Sequence, residues 1–79
     1  MKIKIHHALA DTVSVVVGHG TYSSKTQSEL AFFKDNEWVT QIIPEFAEYH
    51  DGSPAESDTC VYPWVPNNLI DQFLDNHRA

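Results

Sequence analysis

Five histidines and a single cysteine are the residues of this chain best suited to bind a metal ion. Imidazole is a common ligand of zinc, copper and nickel. His6 and His7 are adjacent on a predicted strand and would point to opposite faces, and the chain has no His-x₃-His or Cys-x₂-Cys pair. A site assembled in three dimensions stays open, and its candidate ligands are His7, His19, His50 and Cys60. We expect no bound metal and no cofactor, and we assign His77 to the negative end of a helix.

Groups suited to nucleophilic catalysis are present, but their order matches no known arrangement. A nucleophile, a base and an orienting group must meet in one pocket. The available groups form neither a nucleophile elbow nor a cysteine protease pattern; they are Ser23, Ser24, Cys60, His19, His50 and Asp51. Residues 18–26 resemble a phosphate-binding loop in part, but Ser24 and His19 occupy the required glycine positions. We therefore expect that the protein is not an enzyme.

Charge is distributed unevenly along the chain. Residues 1–34 carry four lysines and two acids, whereas residues 35–79 carry nine acids and one arginine, so the net charges are +2 and −8 and sum to −6. Nucleic-acid binding requires clustered Lys and Arg, so we expect no direct nucleic-acid contact. The acidic part favours a basic protein as partner.

The segment of residues 45–64 is the predicted interaction site, because its acids are interleaved with Phe46 and Tyr49 and followed by Tyr62 and Trp64. Its partner-binding residues are predicted to be Glu45, Glu48, Tyr49, Asp51 and Trp64. The leading hypothesis is a small, non-enzymatic interaction module that acts as an adaptor or inhibitor of a basic protein, including one that normally holds nucleic acid. The alternatives are charges that only keep the protein soluble, a small-ligand or metal-binding module using His and aromatic residues, and a subunit that docks another protein on an apolar face.

Alternating residues predict two hairpins. Residues 2–5 and 12–17 alternate apolar and polar side chains, so we predict two strands joined by a short connection. Leu30–Phe33 and residues 38–43 flank Asp35 and Asn36, which tolerate the positive φ angles of a tight turn. A helix over residues 25–35 is the alternative for this region.

Prolines and an amphipathic stripe predict the remaining elements. Pro44 favours a short helix over residues 45–49. Residues 60–65 predict a last strand, and Pro63 places it at an edge or beside a bulge because proline lacks the N–H of a central ladder. Residues 68–77 predict a helix whose apolar stripe is Leu69, Ile70, Phe73 and Leu74.

These elements predict one α+β domain over residues 1–79: an antiparallel sheet of four to five strands with a C-terminal helix packed on one face. One helix covers one face of a sheet, while Val16, Phe33 and part of residues 38–43 point the other way. We therefore expect a homodimer through the sheet face away from the helix. The lone cysteine and the absence of a long apolar segment predict a cytoplasmic protein with no membrane contact.

Overall fold

The computed structural model describes residues 1–16, 26–50 and 60–79. The predictions for the turn at His19, for most of the polar loop at residues 22–26, for Asp51 and for the surface crossing at residues 53–58 lie outside this part of the chain. The described elements are β1 (Lys2–Lys4), β2 (Thr12–Val16), β3 (Gln27–Lys34), β4 (Glu37–Trp38), a 3₁₀ helix (Pro44–Tyr49), β5 (Val61–Pro66) and α1 (Asn67–His77). This antiparallel sheet with a C-terminal helix confirms the predicted α+β fold.

The first predicted hairpin is confirmed. Strands β1 and β2 pair antiparallel, with Ile3 opposite Val13. The paired residues therefore alternate between an apolar face, on which Val13 is buried and Ile3 half-buried, and a polar face, because successive side chains of a strand point to opposite sides. The N–H of Ile5 donates to the Asp11 carbonyl at 2.9 Å and closes the hairpin beyond the two strands.

Strand β3 is the centre of the sheet, and the alternative helix over residues 25–35 is wrong. It pairs with β2 along one edge and with both β4 and β5 along the other. Asp35 and Asn36, at φ 52° and 66°, form the predicted tight turn into β4. The fourth strand is shorter than residues 38–43, because the chain leaves the sheet after Trp38 and buries Val39 and Ile43 in the core.

Strand β5 contains the irregularity predicted from Pro63. Its register with β3 shifts between the pair Ser28–Val65 and the pair Leu30–Tyr62, so that Pro63 and Trp64 lie opposite a single residue. Trp64 has φ 58°, a left-handed backbone conformation that is unfavourable for a residue other than glycine and that accompanies the bulge. Among the described residues β5 pairs with β3 alone, so that the missing N–H of Pro63 interrupts no second ladder.

The core lies between one sheet face and a layer formed by α1 and the 3₁₀ helix. The predicted stripe of α1 is confirmed: Ile70, Phe73 and Leu74 are buried, and Leu69 packs against the same cluster. Phe46 of the 3₁₀ helix is also buried, and its ring lies 5.1 Å from that of Phe73. Within the described ranges, no helix has the length and apolar character needed to cross a membrane.

The sheet face away from the helices, called here the outer face, is mixed in character. The strand register places the aromatic pair Phe33 and Trp38 on it, together with the polar Ser14. Lys2 and Lys4 lie on the same face, and the Lys2 ammonium sits 4.9 Å from the centre of the Phe33 ring. Because Val39 and Ile43 turned into the core, this face is less apolar than an extended fourth strand would make it.

Candidate functional site

Two histidines and a glutamate from three distant segments meet at the edge of the helical layer. His7 belongs to the connection after β1, Glu45 to the first turn of the 3₁₀ helix, and His77 to the last turn of α1. The backbone holds the two histidines together, because the N–H of His6 donates to the His77 carbonyl at 2.6 Å. An isolated bridge between Ile5 and Arg78 adds a second link between the same segments. We call these three residues the His–Glu–His cluster.

The hydrogen bonds of His7 define its protonation pattern. The Leu9 N–H donates to Nδ1 at 3.0 Å, so Nδ1 carries a lone pair. In the neutral ring the proton is therefore on Nε2, which donates to Glu45 Oε2 at 2.9 Å. The His7 side chain is only 8% exposed, whereas that of Glu45 is 37% exposed. The carboxylate is thus held from the protein side and open to solvent on the other.

His77 has the opposite pattern. Its Nδ1–H donates to the Phe73 carbonyl at 2.9 Å, so the lone pair of the neutral ring is on Nε2. That nitrogen faces Glu45 Oε2 at 3.6 Å. The Phe73 ring stacks on the imidazole with centroids 4.3 Å apart, which holds the orientation of the His77 ring. A lone pair and a carboxylate therefore face each other across a short gap.

The donor set of the cluster has a definite chemical character. Its three potential ligand atoms, two imidazole nitrogens and one carboxylate oxygen, all lie within 4.8 Å of one another. Imidazole and carboxylate together suit zinc and its first-row neighbours, whereas calcium and magnesium prefer oxygen alone. A groove of about 190 Å³ between the 3₁₀ helix and α1 ends at this cluster and is lined by Leu69, Gln72 and Asn76.

The structure separates the predicted partner-binding residues into two places. Glu45, Glu48 and Tyr49 lie on the 3₁₀ helix, and Glu45 is turned toward the two histidines. Partial burial, together with the nearby Glu48 carboxylate, raises the pKa of Tyr49. Trp64 lies at the bulge of β5, where it is exposed. Asp51 lies outside the described residues.

Each member of the cluster is a candidate residue in the sequence, but the sequence does not predict that the three meet. His7 is a candidate metal ligand, Glu45 a predicted partner-binding residue and His77 a predicted helix-end residue. His7 and Glu45 are 38 positions apart in the chain, and no spacing rule connects them. Only the pairing of the β1 end with the α1 end makes them neighbours.

A second set of polar side chains, Cys60, Tyr62 and His50, lies in and beside the core. Cys60 is a free cysteine, 1% exposed, and its thiol donates to the Tyr62 hydroxyl at 3.6 Å. The His50 ring packs against Tyr62, and its Nε2 has no hydrogen-bond partner within residues 1–16, 26–50 and 60–79. Burial raises the pKa of Tyr62. These groups offer no open nucleophile to a substrate.

A scan against protein-family models, a search of curated proteins and a search of solved structures each return no match to this chain.

Proposed function

We propose that the protein is a non-enzymatic interaction module that binds a basic protein segment on the outward surface of its helical layer. The supporting observation is a group of exposed carboxylates on the helical layer. This acidic helical surface is formed by four exposed carboxylates, Glu45 and Glu48 of the 3₁₀ helix and Asp71 and Asp75 of α1. Lys2 and Lys4 lie on the outer face of the sheet instead.

The local geometry suits a long basic side chain. Asp71 and Asp75 are four positions apart and therefore share one side of α1. The groove between α1 and the 3₁₀ helix offers the apolar Leu69 beside the amides of Gln72 and Asn76. The aliphatic stem of a Lys or Arg could pack there while its charged end reaches the Glu45 carboxylate, which lines the same groove.

Electrostatics would act on the encounter as well as on the bound state. A surface of one charge sign raises the association rate with an oppositely charged partner, and salt reduces this effect. A module of this kind serves as an adaptor or as an inhibitor that covers a basic surface. The buried position of the Cys60 thiol supports a role in binding rather than in covalent catalysis.

The test is binding of a synthetic Arg- and Lys-rich peptide, measured by fluorescence anisotropy at low and at moderate salt. The test variant is Glu48→Lys with Asp71→Lys, which reverses two charges on the acidic helical surface. We expect its affinity to fall on the order of tenfold or more. Glu45 is left unchanged so that the His–Glu–His cluster stays intact.

The matched control carries Glu29→Lys and Glu37→Lys, which make the same change in net charge on the sheet. Glu29 pairs with Val16 and Glu37 with Lys34, so neither belongs to the helical layer. We expect the control to bind within about twofold of the unmodified protein. If both double variants lose affinity equally, net charge alone attracts the peptide and the proposed surface is wrong.

A further inference from the structure

We propose that the His–Glu–His cluster is a binding site for a divalent first-row transition metal ion, with Zn²⁺ as the representative ion. His7 Nε2, Glu45 Oε2 and His77 Nε2 would supply three ligands. Water would complete the coordination from the solvent side of Glu45, which is the open side of the cluster. This inference goes beyond the proposed partner binding and does not depend on it.

The distances are close to those of a metal site. Zinc takes nitrogen and oxygen ligands at about 2.0–2.2 Å, so neighbouring ligands of a tetrahedral ion are roughly 3.4 Å apart. In the cluster the Glu45 oxygen is 2.9 Å from His7 Nε2 and 3.6 Å from His77 Nε2. No ligand pair exceeds 4.8 Å. Small side-chain rotations would therefore bring all three ligands to one ion.

His77 is already oriented as a ligand. A metal-bound imidazole usually donates its other N–H to a carbonyl or carboxylate, which fixes the tautomer and the ring orientation. His77 makes this bond, because its Nδ1–H donates to the Phe73 carbonyl and leaves the Nε2 lone pair facing Glu45. The stacked Phe73 ring restricts rotation of the imidazole. A metal ion placed between the His77 Nε2 lone pair and the Glu45 carboxylate would form a favourable bond to each of them.

His7 must change its tautomer when the ion binds. In the neutral ring Nε2 holds the proton, since Nδ1 accepts the Leu9 N–H. A metal ion bound to Nε2 takes the place of the proton that this nitrogen donates to Glu45. That ring proton moves to Nδ1, so the imidazole stays neutral. The Leu9 N–H then loses its acceptor and turns to water. The connection after β1 is therefore the part of the backbone that should respond to metal.

The choice of ion follows from the donors. Two imidazoles and one carboxylate rank copper, nickel and zinc above manganese, and disfavour magnesium and calcium. A bound ion would tie the β1 end, the 3₁₀ helix and the end of α1 to one point. Because the unfolded chain does not hold these ligands together, binding should stabilise the folded state.

The experiment uses protein treated with a chelator and then titrated with ZnCl₂ in a calorimeter, with NiCl₂ and MgCl₂ titrated in parallel. We expect about one Zn²⁺ per chain, binding of Ni²⁺, and no binding of Mg²⁺. At a hundredfold excess over Kd, the thermal midpoint should rise on the order of 10 °C. In ¹⁵N spectra, the ring nitrogens of His7 and His77 and the Leu9 amide should shift, while the His6 ring should not.

The variants separate a metal site from ordinary side-chain packing. His7→Ala, His77→Ala and Glu45→Gln should each weaken Zn²⁺ binding by at least about tenfold. His6→Ala is the matched control, because His6 is the exposed neighbour of His7 and its side chain is not in the cluster. Thermal midpoints measured in the presence of chelator show which variants fold. If a variant does not fold, the zinc-dependent shifts in the ¹⁵N spectra of the unmodified protein identify the ligands instead.

Three results would overturn the proposal. The first is the absence of saturable Zn²⁺ and Ni²⁺ binding to the unmodified protein. The second is binding that His7→Ala and His77→Ala both retain at full affinity. The third is zinc-dependent shifts confined to histidines other than His7 and His77. The peptide-binding test uses variants that leave all three ligands in place, so failure of one proposal leaves the other standing.

Discussion

At the scale of single residues, Tyr62 organises the polar contacts of the core. It is 0% exposed, and its hydroxyl accepts the Ile43 N–H at 2.9 Å. Its ring packs edge-on against Phe32 at 5.4 Å. Burial, and secondarily the Cys60 thiol, raises the pKa of this hydroxyl, which therefore stays neutral over the physiological range. Tyr62 thus holds the point where the chain leaves the sheet and enters the 3₁₀ helix.

The first prediction concerns Tyr62→Phe. The substitution keeps the ring but leaves the buried Ile43 N–H without its acceptor, so we expect a loss of about 1–3 kcal/mol in the free energy of unfolding. Urea denaturation measures it. Tyr49→Phe is the control, because Tyr49 is half-buried near the surface and its loss should cost less. Equal stability of Tyr62→Phe and the unmodified protein would contradict the role given to the hydroxyl.

The second prediction concerns Asp11, which joins the two hairpins. Its Oδ2 accepts the Asp35 N–H at 3.0 Å and its Oδ1 accepts the Thr12 hydroxyl at 2.9 Å. The Asp35 bond first, and the Thr12 bond second, lower the pKa of the Asp11 carboxyl from 3.8. A carboxyl whose pKa is lower in the folded state stabilises the fold above its unfolded pKa and loses that contribution as pH falls through the folded pKa.

We therefore expect Asp11→Asn to be less stable than the unmodified protein at neutral pH. The difference should shrink as pH falls below 3.8, where the unfolded carboxyl becomes protonated, and should disappear below the lower pKa of the folded carboxyl. Urea unfolding of both proteins over a series of pH values measures this difference. A gap in stability that stays constant down to the acid limit of folding would show that the charge of Asp11 contributes nothing.

At the scale of elements, α1 depends on Phe73. Its ring is buried against Phe32 at 5.9 Å and Phe46 at 5.1 Å, and it also supports His77. One side chain therefore links the sheet, the 3₁₀ helix and the His–Glu–His cluster.

The third prediction is that Phe73→Ala strongly destabilises the folded protein. Removing a buried phenylalanine costs about 3–5 kcal/mol, against about 5–15 kcal/mol for the whole free energy of unfolding. Circular dichroism during heating should show a strongly lowered thermal midpoint. Leu69→Ala, at the half-buried edge of the same stripe, should lower it less. A midpoint equal to that of the unmodified protein would refute the packing of α1 described here.

Elements with local signals were the ones that sequence reasoning located. The stripe of α1, the turn at Asp35 and Asn36 and the bulge at Pro63 each follow from a few adjacent residues. The end of β4 does not, because Val39 and Ile43 continue a β-like pattern. They leave the sheet to fill the core beside the 3₁₀ helix. The local sequence pattern does not show that burial in the core is favoured over further strand pairing.

At the scale of the whole molecule, the outer face is the surface through which we expect the protein to associate with itself. It presents Phe33 and the 39% exposed Trp38 beside Lys2 and Lys4. The homodimer expected through this face stays a prediction. The lysines would oppose a purely apolar contact, so we expect the aromatic pair to form the centre and the lysines the rim.

The fourth prediction uses two equally exposed apolar residues. Trp38→Glu places a charge in the centre of the outer face and should convert a dimer into a monomer. Ile42→Glu is the control, since Ile42 is also 39% exposed but lies outside the strands. Light scattering of the purified proteins measures the mass. A monomeric unmodified protein, or equal dissociation of both variants, would rule out this interface.

The amino-acid sequence alone determined the class of fold, because hairpins and an amphipathic helix are specified by residues close together in the chain. It also determined an uneven charge. Only the tertiary structure decided that Lys2 and Lys4 lie on the outer face while Glu45, Glu48, Asp71 and Asp75 lie on the helical layer, and that His7, Glu45 and His77 meet. The meeting of these three side chains depends on the long-range pairing of the β1 end with the α1 end, which brings together residues that no local spacing connects.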